Sequence, residues 1–128
     1  MKLIETFLQW DSCNENIFHY LHKNKIVASL TLSEYDDEFW IQAVYVDVNH
    51  RKKGLAQKLV DLAIFKYKLY KQFKDVNDPD SIMKDLYLNC NVNNHSALHI
   101  YRKFNFIETG IGRFDDKKKY YYITMKLC

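Results

Sequence analysis

The sequence is poor in glycine and proline and has no long apolar run. Three glycines and one proline among 128 residues exclude a collagen-like or low-complexity chain. The apolar stretches are short, whereas a helix that crosses a bilayer needs about 20 apolar residues. We therefore expect no membrane-spanning segment and no membrane partner.

Cysteine is also scarce, and its placement excludes a disulfide framework. The cysteines are odd in number and widely spaced, at Cys13, Cys90 and Cys128, and they form no CxxC pair. No apolar segment near the first residue has the pattern of a secretion signal. Because unpaired thiols persist in reducing compartments, the sequence predicts an intracellular, cytoplasmic protein.

A large excess of one charge sign is missing too. Nineteen Lys and Arg residues oppose sixteen Asp and Glu residues, and the net charge of +3 is too small to indicate nucleic acid as the main partner. The five histidines are scattered, and no two of them form a metal-ligand pattern with a carboxylate. We predict no metal, and any electropositive site must be local.

The chain is instead rich in residues that build a core. It is 48% hydrophobic and 16% aromatic, with ten Tyr and eight Phe residues, which makes global disorder implausible. Its length fits one domain at the usual size of roughly 100–200 residues. The sequence therefore predicts a single folded domain over residues 1–128.

The predicted elements follow the order of an antiparallel strand pair, a βαβ unit and a hairpin. Apolar residues at every third or fourth position from Ala56 predict a helix of roughly four or five turns. A second helix follows Asn93-Asn94, which can cap it, and Asn105 can end it in a left-handed conformation. The predicted strands are residues 17–22, 26–32, 38–48, 85–91, 106–111 and 120–127, with breaks at 33–37, 77–80 and 115–118.

The strand at residues 38–48 is predicted to be mostly buried and central, because it is long, β-branched and aromatic. The helix that follows it allows this strand and the strand at 85–91 to be parallel, joined by a right-handed crossover.

A strand–turn–helix segment at residues 46–57, VDVNHRKKGLAQ, carries the clearest chemical signal. The first turn of a helix has unpaired N–H groups and the positive end of the dipole, so it can bind phosphate oxygens. Gly54 and Ala56 are small enough to let a diphosphate approach, and Arg51, Lys52 and Lys53 add positive charge. The segment is neither GxGxxG nor GxxxxGK[ST], so no dinucleotide fold or P-loop is indicated.

Arg51, Gly54 and Ala56 resemble the [Gln/Arg]-x-x-Gly-x-[Gly/Ala] signature of the GNAT superfamily of acetyl-CoA-dependent N-acetyltransferases. A second similarity is Asn94, followed seven residues later by Tyr101 and then by Asn105-Phe106, where Asn105 replaces the usual Gly. The resemblance extends over residues 17–127. Segments 51–63 and 93–106 are most similar to the catalytic subunits of protein N-terminal acetyltransferases.

The resemblance implies an α/β (α+β) GNAT fold. This fold is a mixed sheet of about six to seven strands, splayed between its two middle parallel strands, with helices on both faces. Acetyl-CoA would be the co-substrate, and a primary amine would attack its thioester directly, without a covalent acyl-enzyme. Tyr101 would be the general acid for the departing CoA thiolate. The implied cofactor-binding residues are Val46, Val48, Arg51, Lys52, Lys53, Gly54, Leu55, Ala56, Gln57, Asn94 and Lys103.

The general base is less clear from the sequence. Many family members have a Glu on the central strand where this chain has Trp40 or Gln42. Glu38, at the start of the strand and on the same alternating face, is the nearest catalytic candidate. Three weaker candidates could act through water: His19, His22 and Glu34.

The acceptor amine also stays open. At pH 7 about 10–20% of peptide α-amines are neutral, against under ~0.1% of lysine side chains, so a weak base favours an α-amine. However, only sixteen residues precede Ile17, which leaves little room for the helical pair that shapes the peptide groove in N-terminal acetyltransferases. A protein or peptide amine, a polyamine or another small amine, and a non-catalytic module that binds acyl-CoA or a partner, all remain possible. The protein could be a monomer or a homodimer.

Several of these residues also have plain structural interpretations. Tyr101 can simply pack on the sheet, and a lone buried Cys90 is more typical of packing than of acetyl transfer. The basic turn at 117–119 could contact RNA but is typical of a solvated hairpin tip. Four acidic residues could recognise a cationic substrate or form an acidic turn: Glu34, Asp36, Asp37 and Glu38.

Overall fold

The computed structural model describes residues 1–35, 38–77 and 84–128, without the side chains of 74–77. Four strands are followed by a helix, a strand, a second helix and a final pair of strands. In chain order they are β1 (Lys2–Gln9), β2 (Asn14–His22), β3 (Lys25–Tyr35), β4 (Glu38–Val46), α1 (Leu55–Asn77), β5 (Asp85–Asn91), α2 (His95–Lys103), β6 (Phe106–Asp115) and β7 (Tyr120–Leu127). A 3₁₀ turn at Val48–His50 joins β4 to the segment before α1.

The strands form one mixed sheet in the order β1-β2-β3-β4-β5-β7-β6. Neighbouring strands are antiparallel except β4 and β5, which run parallel and pair from Glu38–Asp85 to Ile41–Leu88. Within the described residues no pairing joins these two strands beyond Ile41 and Leu88, so they separate there. The predicted mixed sheet, its parallel middle pair and the splay are thus confirmed.

Both helices contact the same face of the sheet. Tyr67 of α1 packs edge-on against Phe39 of β4, with ring centroids 5.3 Å apart. Phe39 pairs with Leu86, and alternation along β5 puts Cys90 on the same face as Leu86. Leu98 and Tyr101 of α2 belong to the same buried cluster as Phe39, Leu86 and Cys90. The predicted arrangement with helices on both faces is therefore corrected.

The reason for this correction is topological. β7 is antiparallel to both β5 and β6, so β6 runs parallel to β5. The connections β4–α1–β5 and β5–α2–β6 step across the sheet in the same direction. Two right-handed crossovers that advance in one direction place their helices on the same face. In the described part of the chain, no helix covers the opposite face, which we call the open face.

The core fills the space between the two helices and the sheet face that they contact. Alternate residues of β5, Leu86, Leu88 and Cys90, are buried there, which confirms the predicted half-buried strand. The largest fully enclosed hydrophobic side chains come from α1 and five strands: Leu30, Leu32, Phe39, Leu59, Leu86, Leu88, Phe106 and Met125. Among the described helices, none has the length and apolar character that a membrane crossing requires.

The first three strands differ from the prediction. β1 was not predicted from the sequence, and it pairs with β2 from Lys2–Leu21 to Gln9–Asn14. As an edge strand it is mostly exposed, so its side chains lack the alternation that reveals a strand. β3 continues to Tyr35 through the predicted break, because Ser33 is buried and its hydroxyl donates to Gln42 Oε1 at 2.9 Å. Residues 36–37 and 78–80 of the predicted breaks lie outside the described residues.

Later elements also change in length. β4 ends at Val46 and buries only Phe39 and Ile41, so the prediction of a mostly buried strand is wrong. Residues 42–45, which follow the last pairing with β5, are exposed. α1 has 23 residues, about six turns rather than four or five. β6 reaches Asp115 because its pairing with β7 resumes after a bulge that contains Gly110 at φ 85°.

Candidate active site

A turn of unusual backbone conformation precedes α1. Lys52 and Gly54 both have positive φ angles, 64° and 76°. A Cβ built at Gly54 would meet nothing within 4 Å, so the space beside this residue is open to a ligand. Lys58 N–H donates to the Gly54 carbonyl at 3.1 Å, which leaves the N–H groups of the preceding helical residues without partners in the helix. This turn has the form of a backbone anion site.

The charges around the turn favour an anion. The first turn of α1 contains no acidic residue, so nothing neutralises the positive end of the helix dipole. Lys52 and Lys53 are exposed beside it. Arg51 has a second role, because its Nε donates to the Val46 carbonyl oxygen at 3.2 Å and ties the turn to the end of β4. The residues present therefore suit the diphosphate of coenzyme A.

A β-bulge distorts β4 where it leaves β5. Thr31 pairs with Gln42 and Ser29 pairs with Tyr45, so β4 has one residue more than β3 in this stretch. Ala43 takes the left-handed conformation at φ 52°, which is rare for a residue with a side chain. The bulge interrupts the ladder and leaves backbone groups of β4 exposed to the splay.

The start of α2 forms the other wall of the splay. The Asn94 side chain accepts a hydrogen bond from Ala97 N–H at 3.1 Å, which confirms the predicted cap. Asn105 has φ 72° just beyond the helix, in the left-handed conformation expected of a residue that ends a helix. These two residues fix the rotation of α2 and thereby the position of Tyr101.

Tyr101 is buried but its hydroxyl is not enclosed. Only 7% of the residue is exposed, and its ring packs against Phe106 at 6.1 Å. Within the described structure the hydroxyl has no hydrogen-bond partner, yet no buried side-chain oxygen there is unsatisfied. The hydroxyl therefore reaches the splay. Burial, with a smaller effect of the Cys90 thiol, raises the pKa of Tyr101 to about 12.

These walls enclose one cavity, with a volume of ≈ 630 Å³. Nine of the residues predicted from the sequence line it: Val46, Arg51, Lys52, Gly54, Leu55, Ala56, Gln57, Asn94 and Tyr101. Three of the predicted cofactor-binding residues do not line it. Val48 is exposed on the 3₁₀ turn, Lys53 is exposed in the turn before α1, and Lys103 lies in the last turn of α2.

Glu38 lies at the opposite end of β4 from this cavity. Val44 lies six positions further along β4, which corresponds to roughly 20 Å along a strand. The carboxylate is thus too far away to touch an amine beside the cavity. Its placement corrects the prediction of Glu38 as the catalytic base.

Six further residues of the cavity were not predicted as site residues: Val44, His50, Val60, Ser96, Ala97 and Ile100. Those on α2 follow the helical spacing from the Asn94 cap to Tyr101, which is the signal that could have found them. His50 Nδ1 lies 2.8 Å from Asp47 Oδ2, and the hydrogen bond with this histidine is the main reason that the pKa of Asp47 is lowered. No aspartate or glutamate side chain lines the cavity in the described part of the chain.

Cys90 lies close to the cavity but is not suited to carry an acetyl group. Burial raises the pKa of its thiol to about 11, and the positive charge of Arg102 lowers it only slightly. The thiolate, which is the nucleophilic form, is therefore scarce near neutral pH. Among the described residues no group of three His, Cys, Asp or Glu side chains has an arrangement that could hold a metal ion.

Sequence comparison assigns the chain to a family. Residues 2–106 match the profile of the Acetyltransferase (GNAT) family. A comparison with curated protein sequences found no significant match. Because the family profile covers most of the chain, the protein belongs to the GNAT acetyltransferase family.

Solved structures of several acetyltransferases share the fold. The ribosomal-protein-S18-alanine N-acetyltransferase from Escherichia coli is 19% identical, with a TM-score of 0.70, over 93% of this chain and 70% of that chain. The NatC complex bound to Gag peptide and CoA contains a chain that is 19% identical, with a TM-score of 0.67 over 88% of this chain and 69% of that chain. A putative streptothricin acetyltransferase from Bacillus anthracis, solved with acetyl coenzyme A, is 22% identical. Its TM-score is 0.62, over 88% of this chain and 61% of that chain.

At these identities the structural neighbours show the fold, and the family assignment supplies the class. The chain is an acyltransferase of the GNAT type, and acetyl-CoA is its co-substrate. The open space beside Gly54 and the uncompensated N-terminus of α1 suit this anionic molecule.

Proposed function

We propose that the protein transfers the acetyl group of acetyl-CoA to a primary amine by direct attack. One observation carries this proposal: the phosphate-type turn, the bulged end of β4 and the Tyr101 hydroxyl border the same cavity. Acetyl-CoA supplies the thioester that the amine attacks. The remaining steps depend on side chains and backbone groups of this chain.

The turn at Lys52–Gly54 and the first turn of α1 would hold the diphosphate. Their N–H groups and the helix dipole would attract the diphosphate, and the ammonium groups of Lys52 and Lys53 would balance part of its negative charge. Exposed backbone groups of β4 near Val44 and Val46 would bind the pantetheine arm. An N–H group at the bulge would polarise the thioester oxygen during attack.

Tyr101 would act as the general acid. As the amine nitrogen forms a bond to the acetyl carbon, the carbon–sulfur bond breaks and the electron pair stays on sulfur. The tyrosine hydroxyl donates its proton to this thiolate, and the proton that the amine nitrogen loses passes through water back to the tyrosine oxygen. With a pKa of about 12, the hydroxyl is protonated throughout the physiological pH range.

The acceptor proposed here is a peptide or protein α-amine. No carboxylate borders the cavity in the described residues, so the amine has to reach it largely deprotonated. About 10–20% of α-amines are neutral at pH 7, against under ~0.1% of lysine side chains. A site without a strong base therefore favours the α-amine.

The test is an amine panel assayed by release of free CoA thiol. Peptides with a free N-terminus, N-terminally blocked peptides with a lysine, and spermidine should be compared under identical conditions. We expect release with the free N-termini and a much lower rate with the blocked peptides. Faster turnover of spermidine or of lysine would contradict the α-amine assignment.

A second candidate function is a non-catalytic module that binds acyl-CoA. The observation that favours it is the lack of a carboxylate in the cavity lining of the described chain. This alternative predicts tight binding of acetyl-CoA, measured by calorimetry, together with no CoA release for any amine in the panel.

A further inference from the structure

The open face of the sheet carries a pair of stacked aromatic rings. Trp40 of β4 and Tyr87 of β5 are paired in register, and their ring centroids are 5.3 Å apart at an interplanar angle of 28°. Both side chains are only partly buried. Since α1 and α2 pack on the other face, no helix of the described chain covers this pair. Rings of this kind are preferred partners for cations.

Carboxylates surround the stacked pair. Asp85 and Glu38 lie near the Tyr87 phenol: burial is the main cause of its raised pKa, Asp85 raises it next, Lys126 opposes this, and Glu38 raises it further. Alternation along β2 puts Glu15 on the same face, because it pairs with Ser33, which in turn pairs with Trp40.

One lysine offsets part of this charge. Lys126 Nζ lies 3.4 Å from Asp85 Oδ2. In the described structure, Lys126 is the only basic residue that we find beside the Trp40 and Tyr87 rings. Three carboxylates against one ammonium leave the surface around Trp40 and Tyr87 negative. It therefore complements a cationic ligand.

The open face is continuous with the reaction cavity. Pairing between β4 and β5 ends at Ile41 and Leu88, and the next residue on the open face, Gln42, lies at the splay. From Gln42, Trp40 is about 7 Å away along β4 and Glu38 about 13 Å away. An extended peptide advances about 3.3 Å per residue, so two to four residues beyond its amine would cross this stretch.

We propose that the open face binds the acceptor downstream of its amine and selects a cationic side chain at the third or fourth residue. This inference rests on the proposed function, since it assumes a peptide acceptor. The cationic side chain lies against the Trp40–Tyr87 pair and faces Asp85 and Glu38. A flat sheet face without side walls suits an extended peptide, whereas a small polyamine would need a more enclosed acidic pocket.

The first experiment varies the acceptor. Peptides with a free N-terminal serine and Arg, Gln or Glu at the third or fourth residue are compared by CoA release; arginine is used because it carries no acylable amine. We expect KM to be about tenfold lower for Arg than for Glu, with Gln between them and kcat similar. Equal KM values for the three peptides would overturn the inference.

The second experiment varies the open face. In the double variant Glu38→Gln/Asp85→Asn the preference for Arg over Glu should largely disappear, while KM for the Gln peptide should stay unchanged. Asp61→Asn is the matched control, because Asp61 is exposed on α1, on the side of the helix away from the sheet. The charge-reversal variant Asp85→Lys should favour the Glu peptide. An unaltered preference in both variants would contradict the proposal.

A binding measurement separates this inference from the proposed function. The N-acetylated peptides are titrated into the enzyme saturated with CoA, and affinity is followed by calorimetry and by Trp40 fluorescence, with Trp40→Leu as the control. Tighter binding of the Arg peptide without turnover of any amine would support the open face and refute the acetyl-transfer proposal. Turnover without discrimination in KM or affinity would refute the open face alone, and spermidine outperforming every peptide would refute the peptide acceptor.

Discussion

Tyr101 combines a buried ring with a hydroxyl that reaches the cavity. The ring is held between α2 and the sheet by Phe106, and the hydroxyl has no protein partner in the described structure. Because burial disfavours the phenolate, the pKa of Tyr101 is about 12, and the hydroxyl is protonated at working pH before the reaction. A residue in this state suits the role of general acid.

Replacing Tyr101 with Phe tests this role. Tyr101→Phe keeps the ring packing and removes the hydroxyl, so kcat should fall by roughly 10²–10⁴-fold while acetyl-CoA affinity changes little. Steady-state kinetics and calorimetry on the same sample measure the two quantities. Unchanged turnover would remove Tyr101 from the mechanism.

Gly54 provides the second test at the scale of a residue. Gly54→Trp should lower acetyl-CoA affinity by at least about tenfold, since the side chain would occupy the open space beside the turn. Gly110→Trp is a matched control: Gly110 also has a positive φ and open space around its Cβ position, but it lies in β6 away from the cavity. Calorimetry that finds wild-type affinity for Gly54→Trp would argue against the proposed anion site.

At the scale of elements, the cavity is built from the N-termini of two helices and the end of one strand. The first turn of α1 follows the turn at Lys52–Gly54. In α2, both the Asn94 cap and Tyr101 line the cavity. The bulge at Ala43 separates β4 from β5 and opens the space between them. Changes at these ends should affect both stability and binding.

Asn94 allows those two effects to be separated. Loss of the cap in Asn94→Ala should lower the free energy of unfolding by about 1 kcal/mol, whereas Asn94→Ser should keep the cap and most of the stability. Chemical denaturation measures this difference. If Asn94 also contacts the cofactor, both variants will bind acetyl-CoA more weakly; wild-type affinity of Asn94→Ser would limit Asn94 to the capping role.

At the scale of the whole molecule, one sheet face holds the core and no helix of the described residues covers the other. Both crossover connections advance in the same direction, so α1 and α2 must share a face. The short link between β1 and β2, residues 10–13, contains no helix that could cover the open face. Cofactor and acceptor can therefore meet at the splay from different sides.

The pH dependence of the reaction tests this arrangement as a whole. A Tyr101 with a raised pKa of about 12 stays protonated as pH rises, so it causes no loss of activity below about pH 10. In the absence of a strong base, kcat/KM for an α-amine should rise as the amine loses its proton near pH 7.7–8.0, then stay level. A decline between pH 8 and 10 would show that another group, or a Tyr101 with a lower pKa, controls the rate.

Strand bounds, helix caps and turn conformations could be predicted from the sequence where residues close in the chain determine them. Strand β5 has the predicted bounds because Leu86, Leu88 and Cys90 alternate with polar residues. The Asn94 cap and left-handed Asn105 follow from short-range backbone hydrogen bonding, and Gly54 takes its positive φ in the basic turn that the sequence singled out. The edge strand β1 was missed because partial exposure removes its hydrophobic alternation.

The sequence alone thus determined the family, the βαβ arrangement and most of the cavity lining, since motifs and periodicity depend on residues close in the chain. Only the tertiary structure decided that both helices share one face, that Glu38 lies far from the cavity, and that Trp40 and Tyr87 stack on a surface that the described helices do not cover. These properties depend on strand order, crossover direction and the β4 bulge. They arise from contacts between segments distant in sequence, which no local pattern encodes.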